Sequence, residues 1–382
     1  MNTTTTPTDD ATPAPTITTK LARMSKDEKR TVAQQALAAL SGLVELGHDT
    51  ASIRRIAQEE AQKVKPTRLE IVHPLGVRDL GERICHPLFD AVARAVSVGV
   101  SPLIIGAAGS GKTTLAHQVA DALGLPFYFS GAVNKKHELL GYTDAHGQIV
   151  RTAFRDAFEG GGVFLFDEVD ASTPAALLSV NSALANGFCD FPDKRITAHK
   201  NFRFIASANT NGGGATRDYC GRNQLDGATL DRFTIFVCDY DPTLTERLIR
   251  ALDLSPEHLT RSIEWARVVE DYRQAMTAEG LRGVLSPRAA LNGARLIVAG
   301  FNKGEMLDAL ILQKFASAED RTRLKNAAAA LTKDRQARES LERSNAALVL
   351  AKIAEQEAAD AAAATPPPPA PESIVVAVTA VA

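Results

Sequence analysis

The chain has 382 residues, 45% of them hydrophobic and 23% charged, an ordinary globular balance with enough apolar material for a sizeable core. A formal net charge of −2 and a pI near 6.5 exclude a global pull toward nucleic acid or an anionic membrane, though not a local basic patch. Its four cysteines, Cys85, Cys189, Cys220 and Cys238, form no C-x-x-C pair, which argues against a zinc site or a disulfide framework and fits a reducing compartment.

Taken in chain order, residues 1–20 are rich in Thr and Pro, lack a basic-then-apolar leader pattern, and read as a disordered tail. Residues 21–68 read as a small helical module. Ser25 is a candidate N-cap with Glu28 completing a capping box, and Leu37, Leu40, Leu43 and Val44 follow at helical spacing. Asp49 or Thr50 can cap a second helix through Ile53 and Ile56, and the module ends near Pro66. Over residues 70–242 short apolar runs alternate with helical patterns, the mark of a parallel α/β sheet. The expected strands are 102–106, 126–130, 162–166, 202–207 and 234–238. Residues 243–316 read as an all-helical lid. Residues 317–364, rich in Ala and charge with little apolar periodicity, read as a long exposed helix, and 365–382 as a Pro-rich tail. The apolar run 374–382 is about half the length a membrane span needs, so a soluble, cytoplasmic protein is expected.

Two motifs carry chemistry. Gly106-Ala107-Ala108-Gly109-Ser110-Gly111-Lys112-Thr113, followed by Thr114, fits G-x-x-x-x-G-K-[ST] in full and lies between an apolar strand and an amphipathic helix. Glycines let backbone N–H groups turn inward around phosphate oxygens, and the helix that starts at Lys112 adds the positive end of its dipole. Lys112 is placed to reach the β- and γ-phosphates of ATP, and the Thr113 hydroxyl to ligate Mg²⁺. The second motif is the apolar run Val163-Phe164-Leu165-Phe166 ending in Asp167-Glu168. Asp167 is the candidate Mg²⁺ carboxylate and Glu168 the candidate general base toward water.

A paired Asp-Glu after such a strand resembles the AAA+ superfamily, which implies a three-layer α/β/α P-loop NTPase core with a helical lid. Phe202-Arg203-Phe204-Ile205-Ala206-Ser207-Ala208-Asn209 looks like the strand that ends in the sensor-1 residue, which makes Asn209 the water-orienting group. Leu230-Asp231-Arg232-Phe233 resembles the arginine-finger motif of the MoxR, chelatase and MCM branch, and Ser286-Pro287-Arg288 its sensor-2 start. The resemblance implies that Arg232 reaches ATP held by the neighbouring subunit and that Arg288 bridges the lid to the nucleotide. Arg217 and Arg222 lie close enough in sequence to share the finger role or to take it over.

Within AAA+, the order Ala208-Asn209-Thr210-Asn211-Gly212, Tyr219-Cys220-Gly221 and Ala228-Thr229-Leu230-Asp231-Arg232-Phe233 is similar to the MoxR-like group. The nearest members are the ATPase subunit of aerobic cobaltochelatase (CobS-like) and the CbbQ/NorQ-type activators. That resemblance implies a homo-oligomeric ring, a hexamer, and a partner with a von Willebrand A domain. It implies remodelling of a protein client, with metal or cofactor insertion as the task, and a hairpin near 144–147 directed at the ring pore. Lys135 and Lys136 before that hairpin read as a solvated loop or a pore grip. Two other readings stay open. One is a nucleic-acid motor, against which the neutral pI and absent basic stripe weigh. The other is a small-molecule phosphotransferase, which has no use for an intersubunit arginine.

Overall fold

The computed structural model describes residues 16–21, 67–73 and 76–363. It divides into two units, residues 1–25 with 62–334 and residues 26–61 with 335–382. The first described segment corrects the reading of residues 1–20 as a tail. Thr16–Leu21 is a strand, β1, because a run of β-branched Thr and Ile suits extended backbone. It pairs antiparallel with β2 (Thr67–His73), which pairs in turn with β3 (Gly76–Arg83). Leu21, Thr67 and Arg68, assigned above to a helical module, therefore lie in strands. The remainder of that module, 22–66 with its Ser25 and Asp49/Thr50 caps, lies outside the described residues, as does the tail 365–382.

After α1 (Phe89–Ser97) the chain alternates strand and helix. It runs through β4 (Pro102–Ile105), α2 (Lys112–Leu123), β5 (Phe127–Ser130), α3 (Lys136–Leu140) and a hairpin of β6 (Tyr142–Thr143) and β7 (Ile149–Val150). Then follow α4 (Ala153–Gly160), β8 (Gly162–Phe166), α5 (Pro174–Asn186) and a second hairpin of β9 (Phe188–Asp190) and β10 (Arg195–Thr197). The core closes with β11 (Phe202–Ala208), α6 (Gly227–Leu230) and β12 (Thr234–Val237). Five strands form one parallel sheet in the order β12-β4-β11-β8-β5, so each of the five expected strands is present and the α/β reading is borne out.

The wholly apolar β8 explains why the sheet is covered on both faces. Successive side chains of a strand point to opposite sides. Phe164 and Phe166 pack with Phe154, Phe158 and Val180 of α4 and α5, whereas Val163 and Leu165 pack with Val92, Leu115 and Val119 of α1 and α2. Each such side chain, taken fully out of water, contributes roughly 1.5–3 kcal/mol.

Four helices follow, α7 (Pro242–Arg250), α8 (Pro256–Ala278), α9 (Pro287–Val298) and α10 (Lys303–Leu310), each started by a side-chain cap. Asp241, Ser255, Ser286 and Asn302 accept from the first-turn backbone N–H groups, and Pro stands at the start of α7, α8 and α9, where its missing N–H costs nothing. The long helix α11 (Ala318–Ala363) corrects the expectation of a wholly exposed extension. Leu324 and Ala328 are 0% exposed and belong to the lid core with Trp265 and Tyr272, and the Thr332 hydroxyl donates to Asp271 at 2.8 Å. Leu324, Ala328 and Leu331 fall at i, i+4 and i+7, a stripe that the surrounding Ala and charge dilute.

Trp265 is a core residue, 2% exposed, its indole N–H donating to the Ala289 carbonyl at 3.0 Å. The indole lies against Gly293 of α9, where an added Cβ would overlap Nε1 and Cδ1. In an open helix Gly→Ala gains up to about 1 kcal/mol. Here a buried, rigid ring must give way, so Gly293→Ala is expected to destabilise the fold by about 1–3 kcal/mol, read as a lower denaturant midpoint.

Candidate nucleotide site

The glycine-rich segment leaves β4 at its carboxyl end and becomes α2 at Lys112, the position in open α/β sheets where ligands bind. A cleft of about 290 Å³ lies there, lined by 108–114, Asp167, Glu168 and Asn209 from the core and by Pro287, Arg288 and Leu291 from the lid. Lys112 is 6% exposed, and its ammonium donates to the Gly106 carbonyl at 2.7 Å, the Ala107 carbonyl at 3.1 Å and Asn209 Oδ1 at 2.9 Å. Burial pulls its pKa below the ordinary lysine value, opposed by the nearby Asp167 carboxylate. The Thr113 hydroxyl donates to Asp167 Oδ2 at 3.0 Å, and Ser207 on β11 donates to Asp167 Oδ1. A hydroxyl beside a carboxylate is a set of hard oxygen donors, and it fits Mg²⁺.

Glu168 stands just past β8 with φ 55° and ψ 44°, the only non-glycine residue at positive φ among the described residues. A non-glycine residue in the left-handed region costs of order 1–3 kcal/mol and tends to mark a functional position. Asn209 Nδ2 donates to Glu168 Oε1 at 3.2 Å, so this amide bridges Lys112 and Glu168. Its oxygen must face the ammonium and its nitrogen the carboxylate. Asp170, 0% exposed, fixes the backbone behind it. Its Oδ2 accepts from the N–H groups of Asn209 at 3.1 Å and Thr210 at 2.9 Å, and from the Thr210 hydroxyl at 2.9 Å.

Two tyrosines hold the cradle from outside. Tyr219 accepts from the Ala108 N–H at 2.9 Å, and Tyr240 donates to the Ala108 carbonyl at 2.6 Å. Burial pushes the Tyr240 phenol up to about 12, so it stays a donor across the physiological range. The lid arrives through Arg273, 4.4 Å over the Tyr240 ring, and through Ser286 and Arg288, which close on Gly109. At Gly109, φ is 79° and a Cβ would stand 2.7 Å from Ser286, so only glycine admits this approach.

Every candidate from Gly106 to Thr114 thus lies in the cradle, and Asp167, Glu168, Asn209 and Arg288 line the same cleft. Arg232 does not. It is exposed, donates to the Ala228 carbonyl just before it, and is absent from the lining. Arg222, read as a possible sharer of the finger role, instead contacts Glu168 and Asp170 of its own chain. Sequence reasoning missed part of the cleft lining, Ile84, His86, Gln118, Leu244 and Leu248. They come from three separated parts of the chain, 84–86, α2 and α7, and form no motif. It also missed Tyr219 and Tyr240 as clamps. Lys135 and Lys136, before the β6–β7 hairpin, are exposed and lie outside the cleft. No group of three or more His, Cys, Asp or Glu residues able to hold a metal occurs among the described residues. No described helix is long and apolar enough to cross a membrane.

One family model matches the segment that carries most of this cleft. Residues 102–237 match the model of the ATPase family associated with various cellular activities (AAA). Solved structures similar to the chain include NtrX from Brucella abortus, at 18% identity and a TM-score of 0.35 over 45% of this chain and 44% of that one. The same protein in complex with ADP matches at 17% and 0.34 over 50% and 40%. A candidate ATPase from Cytophaga hutchinsonii matches at 18% and 0.37 over 55% and 73%. The chain spans less than half the length of the NtrX chains it matches. Comparison with curated proteins finds no match. The segment 102–237 is an AAA ATPase domain, and the glycine-rich head of α2 that lines the cleft lies within it.

Proposed function

We propose that this chain is an ATP-hydrolysing ring ATPase of the MoxR type, acting on a protein partner. The observation that carries the reading is the convergence of Lys112, Thr113, Asp167, Glu168, Asn209 and Arg288 on one cleft while Arg232 stands exposed outside it. On this reading Lys112 exchanges its carbonyl partners for the β- and γ-phosphates of ATP. Thr113 and Asp167 would hold Mg²⁺, which when bound neutralises charge on the phosphate oxygens. Glu168 takes the proton of the attacking water, and Asn209, already bonded to both Lys112 and Glu168, sets that water between base and phosphate. Arg288 carries the state of the nucleotide to the lid.

Arg232 acts on the next subunit's ATP, where a guanidinium keeps its charge and offers a planar fork. Ring formation follows from that need, with a hexamer as the expected size. Motion of the lid against the α/β core then remodels the client. A partner with a von Willebrand A domain, and a task in metal or cofactor insertion, rest on the motif resemblance alone.

Mixing two inactive variants tests the shared site. Arg232→Ala subunits keep Glu168, and Glu168→Gln subunits keep Arg232. In a mixed ring, an intact Arg232 can therefore enter an intact site, and ATP hydrolysis is expected to reappear on mixing. Two variants that stay inactive together while still co-assembling would place Arg232 in its own subunit's chemistry and overturn the shared-site reading. So would a wild-type chain that remains a monomer with ATP and Mg²⁺.

A further inference from the structure

We infer that Arg222 is a positioning residue for Glu168 within the same subunit, carried on a loop that also touches the phosphate cradle and the lid. This rests on the reading of Glu168 as the base. Arg222 Nη2 donates to Glu168 Oε1 at 3.2 Å, and its Nε stands 3.4 Å from Asp170 Oδ2. The side chain is 14% exposed, so the ion pair to Asp170 is little screened by water.

The direction of the contacts on Glu168 is informative. Both donors that reach it, Arg222 and Asn209, converge on Oε1. Among the described residues none donates to Oε2. The carboxylate is thereby held by one oxygen and keeps the lone pairs of the other for a water proton. A general base must hold its orientation to within a fraction of an ångström, and two donors on one oxygen restrict its rotation without occupying the reactive position.

The loop that supplies Arg222 is itself fixed at several points. The Asn223 N–H donates to the Asp170 carbonyl at 2.6 Å, and Asn223 Nδ2 to the Ser172 carbonyl at 2.9 Å. Tyr219, whose ring lies 5.9 Å from the Arg222 guanidinium, meets the cradle at the Ala108 N–H. Asp218 accepts from the Gly283 N–H of the lid at 3.1 Å. Residues 218–223 thus contact the cradle, the lid and the strand end that carries Glu168. A change at the first two has a direct mechanical route to the third.

The test is single-turnover and steady-state ATP hydrolysis by the full chain with ATP and Mg²⁺, in Arg222→Ala, Arg222→Lys, Glu168→Gln and the double variant Glu168→Gln/Arg222→Ala. Arg222→Ala is expected to lower kcat by up to about 10²-fold, the scale of a misplaced catalytic group, with KM for ATP little changed. Arg222→Lys keeps a cation beside Asp170 without the fork and is expected to recover part of the loss. Should Arg222→Ala not fold, the lysine variant alone must still show a lowered kcat at unchanged KM. In the Glu168→Gln background, removing Arg222 is expected to cost nothing further, since there is no base left to position. An inactive Glu168→Gln beside a wild-type-like Arg222→Ala overturns this inference alone, as does an undiminished loss in the double variant. A fully active Glu168→Gln overturns the reading of Glu168 and this inference with it.

Discussion

A Glu168→Gln variant is expected to bind ATP with near wild-type affinity and to release phosphate roughly 10²–10⁴-fold more slowly, the usual cost of losing a general base. The substitution is close to isosteric, and it leaves the backbone in the same left-handed conformation. Asn209 and Arg222 both donate to Oε1, and the glutamine amide oxygen can accept both bonds. The amide nitrogen then occupies the position of Oε2 and has no lone pair to offer a water proton. The groups that cradle phosphate keep their bonds, because the Lys112 ammonium holds to the Gly106 and Ala107 carbonyls and to Asn209, and Thr113 to Asp167, none of them to the Glu168 side chain. The Glu168 side chain is 45% exposed, so stability should stay within about 0.5 kcal/mol of wild type. Calorimetric ATP titration and a phosphate-release assay decide the matter. Hydrolysis within a few-fold of wild type would remove Glu168 from the chemistry. The same loaded variant, isolated with ATP and Mg²⁺ from its native cells, is also a trap for the partner. A ring carrying a von Willebrand A-domain protein supports the remodelling reading, and a ring carrying DNA replaces it with the motor.

The parts of this site that were legible in the sequence are those whose chemistry is written in consecutive residues. A phosphate cradle needs a glycine loop, a lysine and a hydroxyl in one fixed order, and a buried central strand must be apolar from end to end before its acids. Hence Gly106 to Thr113 and Val163 to Glu168 could be read directly, and with them the parallel sheet. Contacts assembled from distant segments left no such trace. Ile84, Leu244 and Leu248 are unremarkable apolar residues until the fold brings them into the lining of one cleft. Arg232 stood out as the finger candidate by its motif, but nothing in the sequence marked Arg222 as the arginine that faces its own Glu168, because that is decided by how the loop after β11 folds back. The strand β1 was hidden by composition, since threonine and proline near a terminus suggest disorder as readily as extended pairing. The buried start of α11 was hidden by averaging, since three apolar positions on one face vanish in a long stretch of alanine and charge. Asp170 was hidden by its neighbours. It reads as the tail of a solvated acidic turn, yet it is 0% exposed.

That burial makes Asp170 the site of the second large effect, on stability and activity together. Asp170→Ala is expected to destabilise the fold by about 3 kcal/mol, the low end of the range for breaking a buried charge pair from one side. The low end is appropriate because Arg222 retains 14% exposure and can regain some water. The loss has two components, which a second variant separates. Asp170→Asn keeps an oxygen that can accept from the Asn209 and Thr210 N–H groups but no longer neutralises Arg222, so it should cost less than alanine. Combining Asp170→Asn with Arg222→Met removes the orphaned charge and should recover part of that cost, a non-additivity expected of residues in direct contact. Denaturant midpoints at unchanged m-value give these numbers. A loss below about 1 kcal/mol for Asp170→Ala would mean that Asp170 is not holding the loop. If it is, the damage cannot stay structural, because the backbone it clamps at Asn209 carries the one side chain bonded to both Lys112 and Glu168. Even the folded fraction of Asp170→Ala should therefore hydrolyse ATP more slowly than wild type. The buried carboxylate that clamps this loop is in this way also the one that keeps cradle and base in register.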